Sequence, residues 1–147
     1  MAFSSLAEID SYMKTNKCEF WEAVIREEAR DSQQPEMDIV NRMTKMYRSM
    51  KEADEAYDDS LTSHSGLSGK NGKKMADYAA THKCMCGEFG GAVMARAIKM
   101  AESNACMKRI VAAPTAGSCG VVPAILITYE RMTNTSENDM VKALFVA

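Results

Sequence analysis

Seven consecutive residues, Pro114-Thr115-Ala116-Gly117-Ser118-Cys119-Gly120, combine the groups that could do chemistry in this chain. Thr115 and Ser118 bring hydroxyls that both donate and accept. Gly117 and Gly120 let backbone amides approach a ligand closely. An apolar run begins at Val121, so the segment leads into the start of a helix, where anions are favoured and a cysteine is stabilised as thiolate. A substrate carboxylate and a metal-bound thiolate both suit such a place. So does a plainer arrangement, a tight turn around a buried structural cysteine.

A second polar, glycine-punctuated segment lies between Asp58 and Lys74, with Ser65, Gly66, Ser68 and Gly69 at its centre. It is either a flexible connection or a place where backbone meets a ligand. His64 stands within it as a candidate acid–base residue, or as an exposed histidine without a role. Cys84 and Cys86, with His82 nearby, raise a thiol–metal reading. Their Cys-x-Cys spacing meets one ion awkwardly, and no fourth ligand is evident, which favours a turn with incidental thiols. Cys18 and Cys106 fall in helical surroundings and read as packing.

The elements that must hold these segments are helices, and the fold class expected is all-α. Ser5-Leu6-Ala7-Glu8 has the form of a capping box opening a helix over 6–15. Phe20, Trp21, Val24 and Ile25 mark one face of a second helix to about Arg30. Pro35 suits the first turn of a third, in which Ile39, Met43, Met46, Tyr47, Met50 and Ala53 keep a helical period to about Tyr57. Its methionine stripe reads as core. Short and long helices follow over 73–81 and 88–103, and small residues Gly90, Gly91, Ala92 and Ala95 permit close approach of a neighbour. Met107 to Ala113 is β-compatible. Helices over 121–131 and from Ser136 complete the chain, Pro123 fitting the first turn of the former.

The 147 residues amount to one ordinary domain, with 18 Lys and Arg against 20 Asp and Glu. That balance excludes the electrostatic footprint of a nucleic-acid binder. No apolar run approaches the roughly 20 residues of a membrane span, and the start has no leader pattern, so a cytoplasmic protein is expected. Five cysteines, an odd number, argue against a disulfide framework. The apolar end Leu144-Phe145-Val146-Ala147 leaves a face for a partner and suggests a fragment or split subunit.

Residues 112–126, Ala-Ala-Pro-Thr-Ala-Gly-Ser-Cys-Gly-Val-Val-Pro-Ala-Ile-Leu, resemble the signature of iron–sulfur L-serine dehydratases. The resemblance extends to Glu102-Ser103-Asn104-Ala105 and to Ser65-Gly66-Leu67-Ser68-Gly69-Lys70-Asn71-Gly72-Lys73-Lys74-Met75. It covers residues 40–147 well and the first 35 loosely, as the N-terminal part of the α, catalytic, portion. It implies deamination of L-serine to pyruvate and ammonia with a 4Fe–4S cluster and without pyridoxal phosphate. It implies that Cys119 is one cluster ligand, the others lying outside this chain. Ser65, Gly66, Ser68, Gly69, Thr115, Gly117 and Ser118 would contact substrate or cluster. The rest of the α part, a β domain or β chain and an oligomeric assembly would be partners, so the chain alone would be inactive. The family's Gly-Asp in the first loop stands here as Lys70-Asn71. The competing reading is a non-catalytic helical or assembly protein that keeps these loops.

Overall fold

The computed structural model describes residues 3–147, and those residues form seven α-helices and no strand. In order these are α1 (Leu6–Asn16), α2 (Phe20–Ser32), α3 (Glu36–Glu55), α4 (Asn71–Ala79), α5 (Gly87–Ala105), α6 (Val121–Thr133) and α7 (Glu137–Val146). The all-α expectation holds. The chain divides into two compact units, one of residues up to 46 together with 137–147, the other of residues 47–136. The helix α3 contributes its first half to the former and its second half to the latter.

The first unit shows how local sequence sets helix ends. Ser5 caps α1 by accepting from the Glu8 amide at 3.3 Å. Glu8 returns the interaction one residue earlier than expected, accepting from the Ser4 amide at 2.7 Å. Glu19 and Glu22 form a reciprocal capping box at the start of α2, and Lys17 and Gln33 end α1 and α2 in the left-handed conformation. The apolar faces of α2 and α7 pack together, burying Ala23, Ile25, Val141, Leu144 and Phe145. Lys142 lies over the Trp21 ring at 5.2 Å, covering the edge of that seam.

The second unit carries both loops. Its α4 and α5 form an antiparallel pair. A Cβ at Gly72, near the start of α4, would stand 2.6 Å from the Lys99 side chain; one at Gly91, near the start of α5, would stand 3.1 Å from Ala79, at the end of α4. Small residues therefore set how close the two helices lie. The core beside them is Tyr47, Met50, Ala95, Met100, Ala124 and Ile127. A polar network threads it. Arg96 donates through Nε to Asp54 at 2.8 Å and through Nη1 to Thr128 at 2.6 Å, while Arg131 approaches Asp54 at 3.3 Å. Tyr47 Oη and Lys51 Nζ both donate to Glu130, at 3.0 and 3.2 Å, tying α3 to α6. Among the described residues no buried side-chain nitrogen or oxygen lacks a partner, as a well-formed interior requires.

Two expectations are corrected in detail. The β-compatible run Met107–Ala113 is irregular chain and not a strand. A strand needs a pairing edge, and the amides at its two ends are spent otherwise, Lys108 on the Ser103 carbonyl and Ala113 on the Cys119 carbonyl. The fourth helix begins at Asn71, two residues before the expected 73. A carboxylate from α5 satisfies its first amides.

Candidate functional site

The loop from Pro114 to Gly120 is closed at its neck by two backbone hydrogen bonds. The Ala113 amide donates to the Cys119 carbonyl, and the Val122 amide to the Ala113 carbonyl, both at 3.2 Å. Gly120 then seats the loop on α5. A Cβ there would lie 2.7 Å from the Ala97 carbonyl oxygen and 2.9 Å from Met100 Cβ, so only glycine allows this approach. Above the neck, the Thr115 and Ser118 hydroxyls lie 2.9 Å apart, and the Ser118 amide donates to Thr115 Oγ1 at 3.3 Å. Thr115, Ala116 and Gly117 are exposed, and a Cβ at Gly117 would meet nothing within 4 Å. The crown is an open rim of hydroxyls and backbone; the cysteine beneath it is buried, with 3% of its surface exposed.

The helix start behind this loop is less available than the sequence suggests. The Val121 amide donates to the Ser118 carbonyl, the Val122 amide to Ala113, and Pro123 has no amide hydrogen. The first-turn donors of α6 thus serve the loop's own closure. An anion at this loop would be met by the crown, with its two hydroxyls, and not by the end of α6.

The first loop is braced in a different way. Ser63 donates its amide to the Ser68 carbonyl at 2.8 Å, Gly66 its amide to the Ser63 carbonyl at 2.8 Å, and Ser68 its amide to Ser63 Oγ at 3.1 Å. The Ser63 and Ser65 hydroxyls are 3.1 Å apart. Gly69 closes the turn at φ +146°, where a Cβ would stand 2.6 Å from the Leu61 carbonyl oxygen. Lys70 follows in the left-handed region at φ +67°, a conformation that suits glycine better than lysine. Ser65, Gly66 and Leu67 are exposed.

Beneath this loop lies a residue whose role the sequence did not announce. Glu102 of α5 is 4% exposed, and its carboxylate accepts from the Asn71 amide at 2.7 Å, the Gly72 amide at 3.0 Å and the Tyr57 hydroxyl at 2.8 Å. Burial alone would raise the Glu102 pKa, but the hydrogen bonds from Gly72, Tyr57 and Asn71, with the nearby Gly69 amide, outweigh it and hold the carboxyl below its usual value. Burial, followed by the bond to Glu102, pushes the Tyr57 hydroxyl up to about 12. The signal was present as a charge on an apolar stripe, since Gly91, Ala95 and Glu102 share one buried face of α5.

Both loops therefore rest on the same stretch of α5, Ala97 to Glu102: one through Gly120, the other through Glu102 and the Gly72–Lys99 contact. The remaining candidates stand apart from this arrangement. His64 is exposed. Cys84 is half-buried against Gly91, and Cys86 is exposed at the start of α5. All five cysteines are free thiols, and among the described residues no three His, Cys, Asp or Glu side chains are grouped to hold a metal. Cys119 fits one ligand's part of an iron–sulfur donor set, which the described residues do not complete. No helix among the described residues is long and apolar enough to cross a membrane.

Residues 15–147 match the family model described as serine dehydratase alpha chain. The chain is 28% identical over 145 residues to a probable L-serine dehydratase alpha chain of Bacillus subtilis (strain 168), covering 99% of this chain and 48% of that one. It is 44% identical over 62 residues to the L-serine dehydratase alpha chain of Peptoniphilus asaccharolyticus, covering 42% of this chain and 21% of that one. Against L-serine dehydratase 1 of Escherichia coli (strain K12) it is 39% identical over 51 residues, 35% of this chain and 11% of that protein. No solved structure gives a significant match. The chain spans about half the length of the Bacillus relative that it matches almost end to end. The family match takes in both loops and the helix that seats them, and the chain belongs to the serine dehydratase alpha chain family.

Proposed function

We propose that this chain supplies part of the active site of an L-serine ammonia-lyase, which eliminates the β-hydroxyl of L-serine and releases pyruvate and ammonia. The observation that carries the reading is the Pro114–Gly120 loop, with its open hydroxyl-bearing crown and its buried Cys119, in a chain of this family. Thr115, Gly117 and Ser118 would bind the serine carboxylate or amino group at the crown. Ser65, Gly66, Ser68 and Gly69 would supply a second set of contacts from the other loop. The rigid seating of both loops on α5 limits the substrate to few orientations, which is where positioning contributes to rate.

Cys119 would be one ligand of a 4Fe–4S cluster, with further ligands supplied from outside residues 1–147. When bound, such a cluster supplies Lewis-acid assistance to departure of the hydroxyl, a poor leaving group by itself. Burial of Cys119 shields the thiolate from water, which favours a stable site. A β chain or β domain and the remainder of an α part are the partners this reading requires, and the relatives' designation as alpha chains supports it.

Burial also favours a second reading, in which Cys119 is a core residue of a non-catalytic helical protein. Anaerobic reconstitution of the α–β assembly with iron and sulfide, assayed for pyruvate from L-serine, separates the two. The lyase reading expects pyruvate from the parent and loss of both pyruvate and cluster absorbance in Cys119→Ser. A parent that binds no cluster and makes no pyruvate would favour the second.

A further inference from the structure

We propose that Glu102 is the positioning residue of the first loop: its carboxylate fixes the backbone at Asn71 and Gly72 and so holds Ser65–Gly69 in the conformation that meets substrate. This rests on the reading of that loop as a substrate contact. The loop's bonds among residues 63 to 68 shape the turn, those at 58 to 61 are local to that segment, and neither set reaches α5. Attachment comes just after it, where the amides of Asn71 and Gly72 converge on one carboxylate held by α5. Tyr57, from the segment after α3, adds its hydroxyl at 2.8 Å and orients that carboxylate from the other side. Lys99, one turn earlier on α5, lies 5.3 Å from the Tyr57 ring centre and covers it.

Glu102 does more than end a helix. The start of α4 is a natural seat for an anion, and here the chain fills it with its own buried charge. The substrate carboxylate is thereby excluded from the α4 terminus and left to the hydroxyls and exposed backbone of the two loops. Glutamine at 102 keeps the size of the side chain but removes the charge, and turns an NH2 group toward donors that need an acceptor. The amides of Asn71 and Gly72 then lose a common anchor, and the loop samples conformations that do not fit substrate.

The test uses the reconstituted α–β enzyme, with steady-state kinetics on L-serine and hydrogen exchange at residues 63–72. Glu102→Gln is expected to raise KM for L-serine by about tenfold or more, because a small misplacement of binding groups costs that much. Exchange at Asn71 and Gly72 should quicken, while cluster absorbance per folded enzyme stays at the parental level. Tyr57→Phe keeps the carboxylate and its amide donors, so it serves if Glu102→Gln does not fold, and it should raise KM by a smaller factor in the same direction. A purely structural role would lower the folded fraction and apparent kcat at unchanged KM, and that result in both variants would overturn the proposal. A parent enzyme that forms no pyruvate would instead overturn the lyase reading on which it rests.

Discussion

Replacing Gly120 by alanine tests how the cysteine loop is seated. The φ of Gly120 is −96°, which alanine adopts without strain, so the substitution probes packing and not backbone conformation. The new Cβ would stand 2.7 Å from the Ala97 carbonyl oxygen, 2.9 Å from Met100 Cβ and 3.2 Å from Ala97 Cα. Two of these atoms are backbone in the middle of α5 and cannot swing away. Either α6 retreats or α5 shifts, and overpacking of this kind costs about 1–3 kcal/mol. Alanine is a poorer helix cap than glycine, but it restricts the unfolded chain, and these smaller effects, roughly 0.5 kcal/mol each, oppose one another. A net loss of about 2 kcal/mol lowers Tm by about 6 °C in a domain of this size. Gly117→Ala is the control. Its Cβ meets nothing within 4 Å and its φ lies outside the left-handed region, so Tm should stay within about 1 °C of the parent. Thermal unfolding followed by circular dichroism reads both, and hydrogen exchange at Ala113 and Val122 should quicken in Gly120→Ala alone. Equal melting of Gly120→Ala and parent, or an equal fall in Gly117→Ala, would refute the account of the loop's seating.

Further outcomes are expected elsewhere in the same unit. Asp54 is 6% exposed at its side chain and faces two arginines, one of which is largely buried. Asp54→Asn should cost about 2–4 kcal/mol in urea unfolding, mostly by leaving Arg96 without its anion. Lys70 pays for a left-handed backbone at φ +67°, so Lys70→Gly should stabilise by about 0.5–1 kcal/mol on the same measurement. The pH dependence has a definite sign at Glu102. Its folded pKa is depressed below 4.5, so its contribution is complete above the unfolded value and is lost as pH falls through the folded one. Protection of the Asn71 and Gly72 amides should therefore decline on acidification below about pH 4.5, with less change when Glu102→Gln has already removed the titrating group.

Much of the scaffold was legible because helices write their period locally. The stripe from Ile39 to Ala53, in which Ile39, Tyr47, Met50 and Ala53 are buried and Met46 is exposed, the Ser5 cap of α1, Pro35 beside the start of α3, and the small residues of α5 all lie within a turn or two of what they determine. The loops were legible for the same reason: their Gly, Ser and Thr residues are contiguous. The anchors of those loops were harder to see. Glu102 acts on residues 30 and 31 positions away, and only folding brings it beneath α4. The start of α4 moved to Asn71 because that carboxylate takes up its first amides. The run from Met107 to Ala113 has the residue types of a strand, but no partner edge was there to make one. Spending of the α6 amides on Ser118 and Ala113 likewise depends on how the loop closes, which no spacing rule records.

The central claim is that Cys119, beneath the crown of the Pro114–Gly120 loop, serves L-serine chemistry and not core packing. Pyruvate formation by the reconstituted α–β enzyme, measured for parent and Cys119→Ser under anaerobic conditions, tests it most directly. The account predicts a parent that forms pyruvate from L-serine and a folded Cys119→Ser variant reduced by more than about a hundredfold, since losing a ligand should cost at least what losing a ligand's hydrogen-bond partner does. Parental activity in Cys119→Ser would contradict it.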